Sequence, residues 1–314
     1  MRSDSETWFL SHDQNVQDPR LPEGVEYHRV YAGQKSQFIR GVIAIVLLFA
    51  GLVALAQLCL AIVSTVEERF YEGDSLTPLR HAAGLFSLAL LIPYSMLIQH
   101  WLYGLPAGSL HSVAGSFRFS VFGRSLLAFG PFLLTVMSVG FLLSPVETIP
   151  WSTADLVAFF IIGMTLTPLA AAGEEYGFRG VMFRVVGSWT RGSLSGALLG
   201  IVATTVLFSL FHGTLDPYIL GSYLVLFGAM AIITWRTGGL EVAAVLHGTY
   251  NVSALVLATT LHVDLGGDLS SRGEIVGTPA NLVPSAAIAV ITAIVWWTTR
   301  KSGPARTPVN GLRI

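Results

Sequence analysis

Four side chains in the second half of the sequence have the chemistry of a hydrolytic site. Glu174 offers a carboxylate, His212 and His247 offer imidazoles, and Asn251 offers an amide. A carboxylate in a partly desolvated site becomes a better base near neutral pH and can take a proton from water. Imidazole and amide N–H groups can donate to a leaving amine or to a tetrahedral oxyanion. These are the groups that hydrolysis of a peptide bond would need.

The acidic pair in this set is followed by an arginine at helical spacing. Glu175 and Arg179 are four residues apart with the acid first, which is the favourable order for an ion pair on one helix face. Glu174 is rotated by about 100° from Glu175 and faces another direction. The spacing predicts a structural Glu175–Arg179 pair that orients the helix, and it leaves Glu174 without an obvious local partner. A solvated helix end at the membrane interface is the alternative interpretation.

The two histidines also have partners at helical spacing. His247 and Asn251 are four residues apart, so both side chains project from one helix face, and the flanking residues are apolar. Phe208 precedes His212 by four residues and lies on the same face. Taken alone, His247 and Asn251 could form a contact that only holds helices together, and His212 could be an interfacial histidine at a helix end.

The elements that position these residues are predicted from composition and run length. Apolar residues make up 53% of the 314-residue chain and charged residues only 12%, against roughly 25% charged in soluble domains. Apolar runs of about 18 residues or more can cross a bilayer as helices, and only helices satisfy their backbone within them. Eight such runs occur, at 41–66, 82–103, 125–146, 156–174, 192–211, 217–235, 242–263 and 275–299. The predicted fold is an all-α transmembrane bundle, in which the fourth helix continues to about residue 186.

The basic residues predict an orientation for this bundle. If the loops of eight spans alternate sides, all but three of the 18 Lys and Arg fall on one side, and the three exceptions are Arg69, Arg80 and Arg272. Basic residues concentrate in cytoplasmic loops, so both termini are predicted to be cytoplasmic, in a multi-pass protein of the cell membrane. In this topology Glu174 and His247 lie near mid-membrane. His212 lies closer to the outer side and can join them only if the fifth helix is shifted or tilted.

The motifs together carry a family resemblance. Glu-Glu-x-x-x-Arg, Phe-x-x-x-His and His-x-x-x-Asn follow one another on successive or nearby membrane helices. Over about 156–257 the sequence resembles the CPBP family of intramembrane proteases, which includes the prenyl-protein (CAAX) endopeptidases and bacteriocin-processing enzymes. The resemblance implies Glu174 as general base, His212 as helper and proton donor, and His247 with Asn251 as the oxyanion site. The chain departs from the pattern at Glu241, where many members have an aromatic residue.

This interpretation divides the chain into three parts. Residues 1–38 are predicted to be a mobile cytoplasmic tail, residues 39–299 the transmembrane bundle with the protease-like core at about 156–257, and residues 300–314 a short cytoplasmic tail. The predicted partners are the lipid bilayer and a membrane-associated peptide or protein substrate, with no nucleic acid.

Three alternatives stay open. Glu174, His212 and His247 could supply three ligands to a catalytic zinc ion with water as the fourth, although their spacing is not the compact two-histidine helix pattern. The chain could instead be a non-catalytic membrane scaffold or immunity-type protein. It could also be a small proton-coupled transporter, because transporters place Glu and His at mid-depth as well. No inverted repeat supports that last function.

Overall fold

Ten helices form eight membrane-length spans in the part of the chain that the computed structural model describes, residues 9, 20–67, 76–143, 148–264 and 275–309. The helices are α1 (Gln37–Glu67), α2 (Pro78–Ala89), α3 (Leu91–Tyr103), α4 (Phe119–Leu143), α5 (Thr153–Glu175), α6 (Phe183–Ser188), α7 (Ser193–Phe211), α8 (Pro217–Thr237), α9 (Glu241–Thr260) and α10 (Leu282–Thr299). Helices α2 and α3 form one span, and α5 and α6 form another. Since these residues form no strand, the all-α prediction and the count of eight spans are confirmed.

Local sequence signals fix several helix ends. Thr77 caps α2 and Asp216 caps α8 through side-chain oxygens that accept backbone N–H groups, and a proline follows each cap at the first helical position. Helix α8 is followed by the cap residue Gly238, whose φ of 65° lies in the left-handed region that glycine adopts at little cost. These compact ends bring α8 back beside α7 and lead directly into α9.

The fourth span is one long helix, as predicted, but its hydrogen bonding changes after the acidic pair. Helix α5 passes into a π-helical segment, Tyr176–Met182, and α6 then carries the span to Ser188. A Cβ at Gly177 or Gly180 would come within 3.2 and 3.3 Å of leucine side chains on neighbouring elements. The small residues therefore let the wide π-helical turn pack closely. Such turns are frequent at functional sites.

The helices that carry the motifs occupy the centre of the bundle. Helix α5 packs against α9 and α2, α4 packs against the other side of α9, and α7 and α10 pack against α8. Helix α9 has the largest buried share of the eight spans. By contrast α1, which has the smallest share, turns most of its apolar side chains outward. The centre of this bundle is therefore where polar side chains are shielded from lipid.

The second half of the predicted N-terminal tail is packed against the helices. Tyr27 and Tyr31 are fully buried, and the Tyr27 hydroxyl donates to the Leu110 carbonyl at 2.6 Å. The C-terminal segment is also packed, because Glu26 and Arg306 form an antiparallel bridge and an ion pair. The sequence does not predict this packing, because the apolar pattern that identifies the spans does not extend to isolated tyrosines outside them. Residues 1–8, 10–19 and 310–314 lie outside the described residues.

The predicted orientation is not tested by the fold. Of the three arginines assigned to the outer side, Arg69 and Arg272 lie outside the described residues, and Arg80 pairs with Glu67 through Nε and Oε2 at 2.7 Å. The placement of both termini in the cytoplasm stays a prediction.

Candidate active site

A buried ion pair stands where the helix spacing predicts it. The Arg179 guanidinium donates from Nη1 to Oε1 of Glu175 at 3.1 Å and from Nη2 to the Phe227 carbonyl at 3.2 Å, and both charged side chains are fully buried. The guanidinium carbon lies 4.8 Å from the ring centre of Phe208 and 5.1 Å from that of Phe227. Two aromatic faces thus hold the cation in place, an attraction that strengthens when water is excluded.

The same carboxylate oxygen also reaches across to α9. Nδ1 of His247 lies 2.9 Å from Oε1 of Glu175. A carboxylate can only accept, so Nδ1 carries the proton and donates, which fixes the tautomer of the neutral ring. Nε2 of His247 then faces Glu174, whose Oε2 lies 3.5 Å away. Glu175 is therefore more than a helix-orienting partner of Arg179, because it sets the direction of the imidazole that faces Glu174.

Glu174 is the member of this cluster that reaches open space. Its side chain is 16% exposed, against 3% for His247 and none for Glu175. It lies in the wall of a cleft of about 280 Å³ that is otherwise almost entirely apolar. The other lining residues come from α1, α2, the π-helical segment and α7: Leu52, Val53, Ala56, Gln57, Leu88, Phe178, Phe208 and Phe211. The exposed carboxylate therefore meets whatever enters an apolar cleft between α1 and α7.

His212 is brought to the site by aromatic packing. It is the residue directly after α7, and its Nδ1 donates to the Phe208 carbonyl at 2.8 Å, so Nε2 is the ring atom that this hydrogen bond does not use. Its ring centre lies 5.0 Å from those of Phe208 and Phe227. The ring of His247 lies about 6 Å from the same two rings, at 6.1 and 6.0 Å. The two phenylalanines thus connect the histidines.

The structure brings some of the predicted site residues into direct contact and places the others nearby. Glu174, Glu175 and His247 are in direct contact, and His212 lies against the phenylalanines that also flank His247. Asn251 follows His247 by four residues on α9 and is half-buried. The sequence prediction did not include Phe227 or Tyr223, whose rings lie 5.0 and 4.5 Å from that of His212. Both are on α8, four residues apart, but nothing in their spacing distinguishes them from ordinary core aromatics.

Glu241, the departure from the family pattern, has a clear structural partner. Its carboxylate accepts Nε of Arg118 at 2.9 Å and Nη2 at 2.7 Å, and the Arg118 backbone N–H donates to it at 3.0 Å. Both side chains are fully buried, and Nη1 of Arg118 also donates to the Thr237 carbonyl. Glu241 thus fastens the start of α9 to the connection between α3 and α4.

That connection also contacts the π-helical segment. The Tyr176 hydroxyl and Nδ1 of His111 are hydrogen-bonded, and the His111 carbonyl accepts the Leu240 N–H at 2.9 Å. Burial lowers the pKa of His111 below its ordinary value of 6.5, so the ring is neutral at pH 7. The connection therefore holds the end of α5 and the start of α9 in one arrangement, and these elements carry Glu174 and His247.

The zinc prediction, with Glu174, His212 and His247 as candidate ligands, stays a prediction. Among the described residues, no group of three or more His, Cys, Asp or Glu side chains is placed close enough together to hold a metal ion. Nδ1 of His247 donates to Glu175, and Nδ1 of His212 donates to a carbonyl of its own helix. Each ring would therefore offer Nε2 to a metal, an orientation that metal-ligating histidines commonly have.

A carboxylate beside a histidine, buried among eight membrane-length helices and open to an apolar cleft, defines a candidate acid–base site of a multi-pass membrane enzyme. Residues 153–253 match the family model described as type II CAAX prenyl endopeptidase Rce1-like. The match covers about a third of the chain, contains Glu174, His212, His247 and Asn251, and confirms the resemblance that the motifs predict. It supports a CAAX-type intramembrane endopeptidase in general. No curated protein and no solved structure matches the chain.

Proposed function

We propose that this protein is an intramembrane endopeptidase of the cell membrane that hydrolyses a peptide bond in a membrane-associated peptide or protein. The observation that carries the proposal is the contact between Glu174 and His247 at the wall of an apolar cleft. Placing a carboxylate in apolar surroundings costs free energy. Its presence in the wall of an apolar cleft therefore points to a function and not to stabilisation of the fold. The match to an endopeptidase family supplies the reaction class.

Glu174 is proposed to act as general base. It takes one proton from a water molecule in the cleft, and the water oxygen attacks the carbonyl carbon of the substrate, so that the carbonyl oxygen becomes an oxyanion. When the oxyanion collapses, the bond between carbon and nitrogen breaks and the amine leaves with a proton. Protonated His212 donates that proton from Nε2, and the proton on Glu174 then passes to His212. Both groups return to their starting states, and one water molecule is consumed.

His247 and Asn251 are proposed to stabilise the oxyanion. Because Nδ1 of His247 donates to Glu175, its Nε2 can donate only when the ring is an imidazolium ion. Glu174 and Glu175 lie one at each ring nitrogen. The Asn251 amide, on the same face of α9, supplies a second donor. Loss of one oxyanion donor costs about 10²–10³ in rate in the protease where this was measured.

The decisive test is cleavage by purified full-length protein in proteoliposomes. The substrates are a library of membrane-anchored peptides, and the variants are Glu174→Gln and His247→Ala. Loss of the general base should lower the rate by about 10²–10⁴-fold. Glu23→Gln, an exposed carboxylate outside the spans, is the matched control and should cleave at the wild-type rate. Normal chromatographic and thermal behaviour of each variant separates lost chemistry from lost folding.

The remaining alternatives give different results in the same preparation. A scaffold or immunity-type protein would cleave none of the peptides, and the wild type would equal Glu174→Gln. A proton-coupled transporter would acidify the liposome interior, and Glu174→Gln would abolish that flux. Metal content of the purified protein, together with activity before and after chelation, decides whether zinc takes part.

A further inference from the structure

A second cleft lies away from the candidate active site, where the packed N-terminal segment meets the start of α7. Its volume is about 250 Å³. It is lined by residues of the N-terminal segment, the connection between α6 and α7, and the C-terminal segment: Pro22, Gly24, Val25, Glu26, Arg29, Ala32, Arg191, Ser193 and Arg306. We call it the basic cleft, because three guanidinium groups face one carboxylate.

The three arginines differ in how their charge is used. Arg29 donates to the carbonyls of Gly187 at 2.9 Å and Thr190 at 2.7 Å, which orients it but leaves its charge without a carboxylate. Arg306 lies 3.3 Å from Glu26. The Arg191 side chain is exposed and forms no hydrogen bond or ion pair within the described ranges. The cleft therefore keeps a net positive charge, which its arginines carry. The planar guanidinium group can donate two parallel hydrogen bonds to a phosphate.

Backbone donors add to this charge. Helix α7 begins at Ser193 without a side-chain cap, so the first N–H groups of a 19-residue helix stay open at the edge of the cleft. Nearby, burial lowers the pKa of His28, which is therefore neutral and donates from Nε2 to the Ser193 carbonyl at 2.9 Å. This bond fixes the start of α7 in place.

The basic cleft lies at the level of the membrane surface. Helix α1 starts just after the N-terminal segment, and α7 starts at the cleft itself. At the ends of spans on the same predicted side, large aromatic side chains are exposed: Phe38, Trp101, Phe119 and Trp297. Exposed aromatic residues at span ends mark the zone of lipid headgroups. At this level of the membrane, the most abundant anions with a fixed position are the headgroups of anionic lipids.

We propose that the basic cleft binds a phosphate-bearing anion at the membrane surface, held by Arg191, Arg306 and the open N–H groups of α7. Arg29 holds the loop that presents these donors and adds its charge. The ligand class is a phosphate monoester or diester, which is the chemistry of an anionic phospholipid headgroup and also of free phosphate. The site is separate from the proposed peptidase chemistry and does not depend on it.

The test is a titration of the purified full-length protein in nonionic detergent. Three probes are compared by calorimetry: dioleoyl phosphatidylglycerol, dioleoyl phosphatidylcholine and inorganic phosphate. We expect saturable binding of phosphatidylglycerol at one site, weakened about tenfold by Arg191→Ala, as expected for the loss of a charge-assisted hydrogen bond. The matched control is Arg124→Ala, which removes an exposed arginine near the same predicted membrane surface on α4.

The outcomes separate the possible ligands. Phosphatidylglycerol binding that depends on Arg191 but not on Arg124 supports a lipid site. Binding of inorganic phosphate with the same dependence, and with no gain from the lipid, supports the anion site with free phosphate as its ligand. Equal weakening by Arg191→Ala and Arg124→Ala would overturn the proposal, because general surface charge would explain it. Absence of saturable binding by all three probes would overturn it as well.

Discussion

Glu175 accepts a hydrogen bond of 2.9 Å from Nδ1 of His247, across 72 positions of the sequence. The same oxygen accepts Arg179 at 3.1 Å, so one buried carboxylate oxygen joins a cation on its own span to the histidine that faces Glu174. This relationship gives the second acid of the Glu-Glu pair a positioning role that its spacing to Arg179 alone does not reveal.

Glu175→Gln should impair catalysis without removing a group that meets substrate. The neutral amide can present either its oxygen or its NH2 group to Nδ1, so it no longer fixes which ring nitrogen of His247 carries the proton. In a serine protease, the equivalent change at the acid that orients the histidine lowers kcat by about 10⁴-fold, and we expect a loss of about 10²–10⁴-fold. The measurement is kcat and KM for peptide cleavage, in which kcat should fall while KM changes little. A wild-type kcat would contradict the role.

Arg179→Leu should destabilise the fold. It leaves the carboxylate of Glu175 buried without its cation and removes the group between the rings of Phe208 and Phe227. Breaking a buried pair in this way costs about 3–5 kcal/mol. Thermal unfolding in detergent should show a clearly lower midpoint than for Arg124→Leu, an exposed arginine of the same size. Equal midpoints would show that the pair contributes little.

Arg118 and Glu241 should show strong coupling in a double-mutant cycle. Arg118→Met leaves Glu241 as an uncompensated buried charge, and Glu241→Met does the same to Arg118. We expect each single variant to lose about 3–5 kcal/mol, and the double variant to recover much of it, because both buried charges are then absent. Cleavage activity should follow the same order, since the pair holds the start of α9. Additive losses would mean that the two residues act independently.

Gly173→Ala should separate α5 from the α2–α3 junction. A Cβ at this position would overlap the Leu88 carbonyl oxygen, which belongs to the backbone and cannot move aside alone. The shift would displace the neighbouring Glu174, so cleavage should fall steeply. The control is Gly123→Ala in α4, where a Cβ meets nothing within 4 Å. That change should be neutral or stabilising by about 0.5–1 kcal/mol. Wild-type activity of Gly173→Ala would contradict the close approach.

The protein should become less stable as the pH falls, because a buried histidine outside the spans must then take up a proton. Burial lowers the pKa of His28 from 6.5 in the folded protein. As the pH falls, the unfolded chain therefore takes up a proton at this residue before the folded protein does. Its contribution is therefore complete above about pH 6.5 and is lost as the pH falls through the lower, folded value. The midpoint of thermal unfolding should drop between pH 7 and pH 5. His28→Gln, which keeps a donor for the Ser193 carbonyl, should reduce that dependence, and an identical slope would argue against it.

The membrane spans and the contacts within one helix are easier to predict from the sequence than the contacts between distant segments. Span number follows from apolar run length, and the Glu175–Arg179 pair follows from spacing on one helix, so both were predictable. The packed segment at 20–33 was not, because Tyr27 and Tyr31 are isolated aromatic residues in a polar stretch and acquire meaning only through the surfaces that cover them. Glu241 was recognised as a departure from the pattern, but its partner Arg118 lies 123 positions away.

By itself the sequence determined the eight spans, the family resemblance and the set of residues that could hydrolyse a peptide, because run length and i,i+4 spacing act locally along the chain. Only the tertiary structure decided which of those residues meet. The rotation of α5 against α9 brings Glu174 and Glu175 to opposite nitrogens of His247, and the packing of α7 against α8 places His212 beside Phe208 and Phe227. Contacts between distant segments depend on how whole helix surfaces fit together, and no local pattern contains that information.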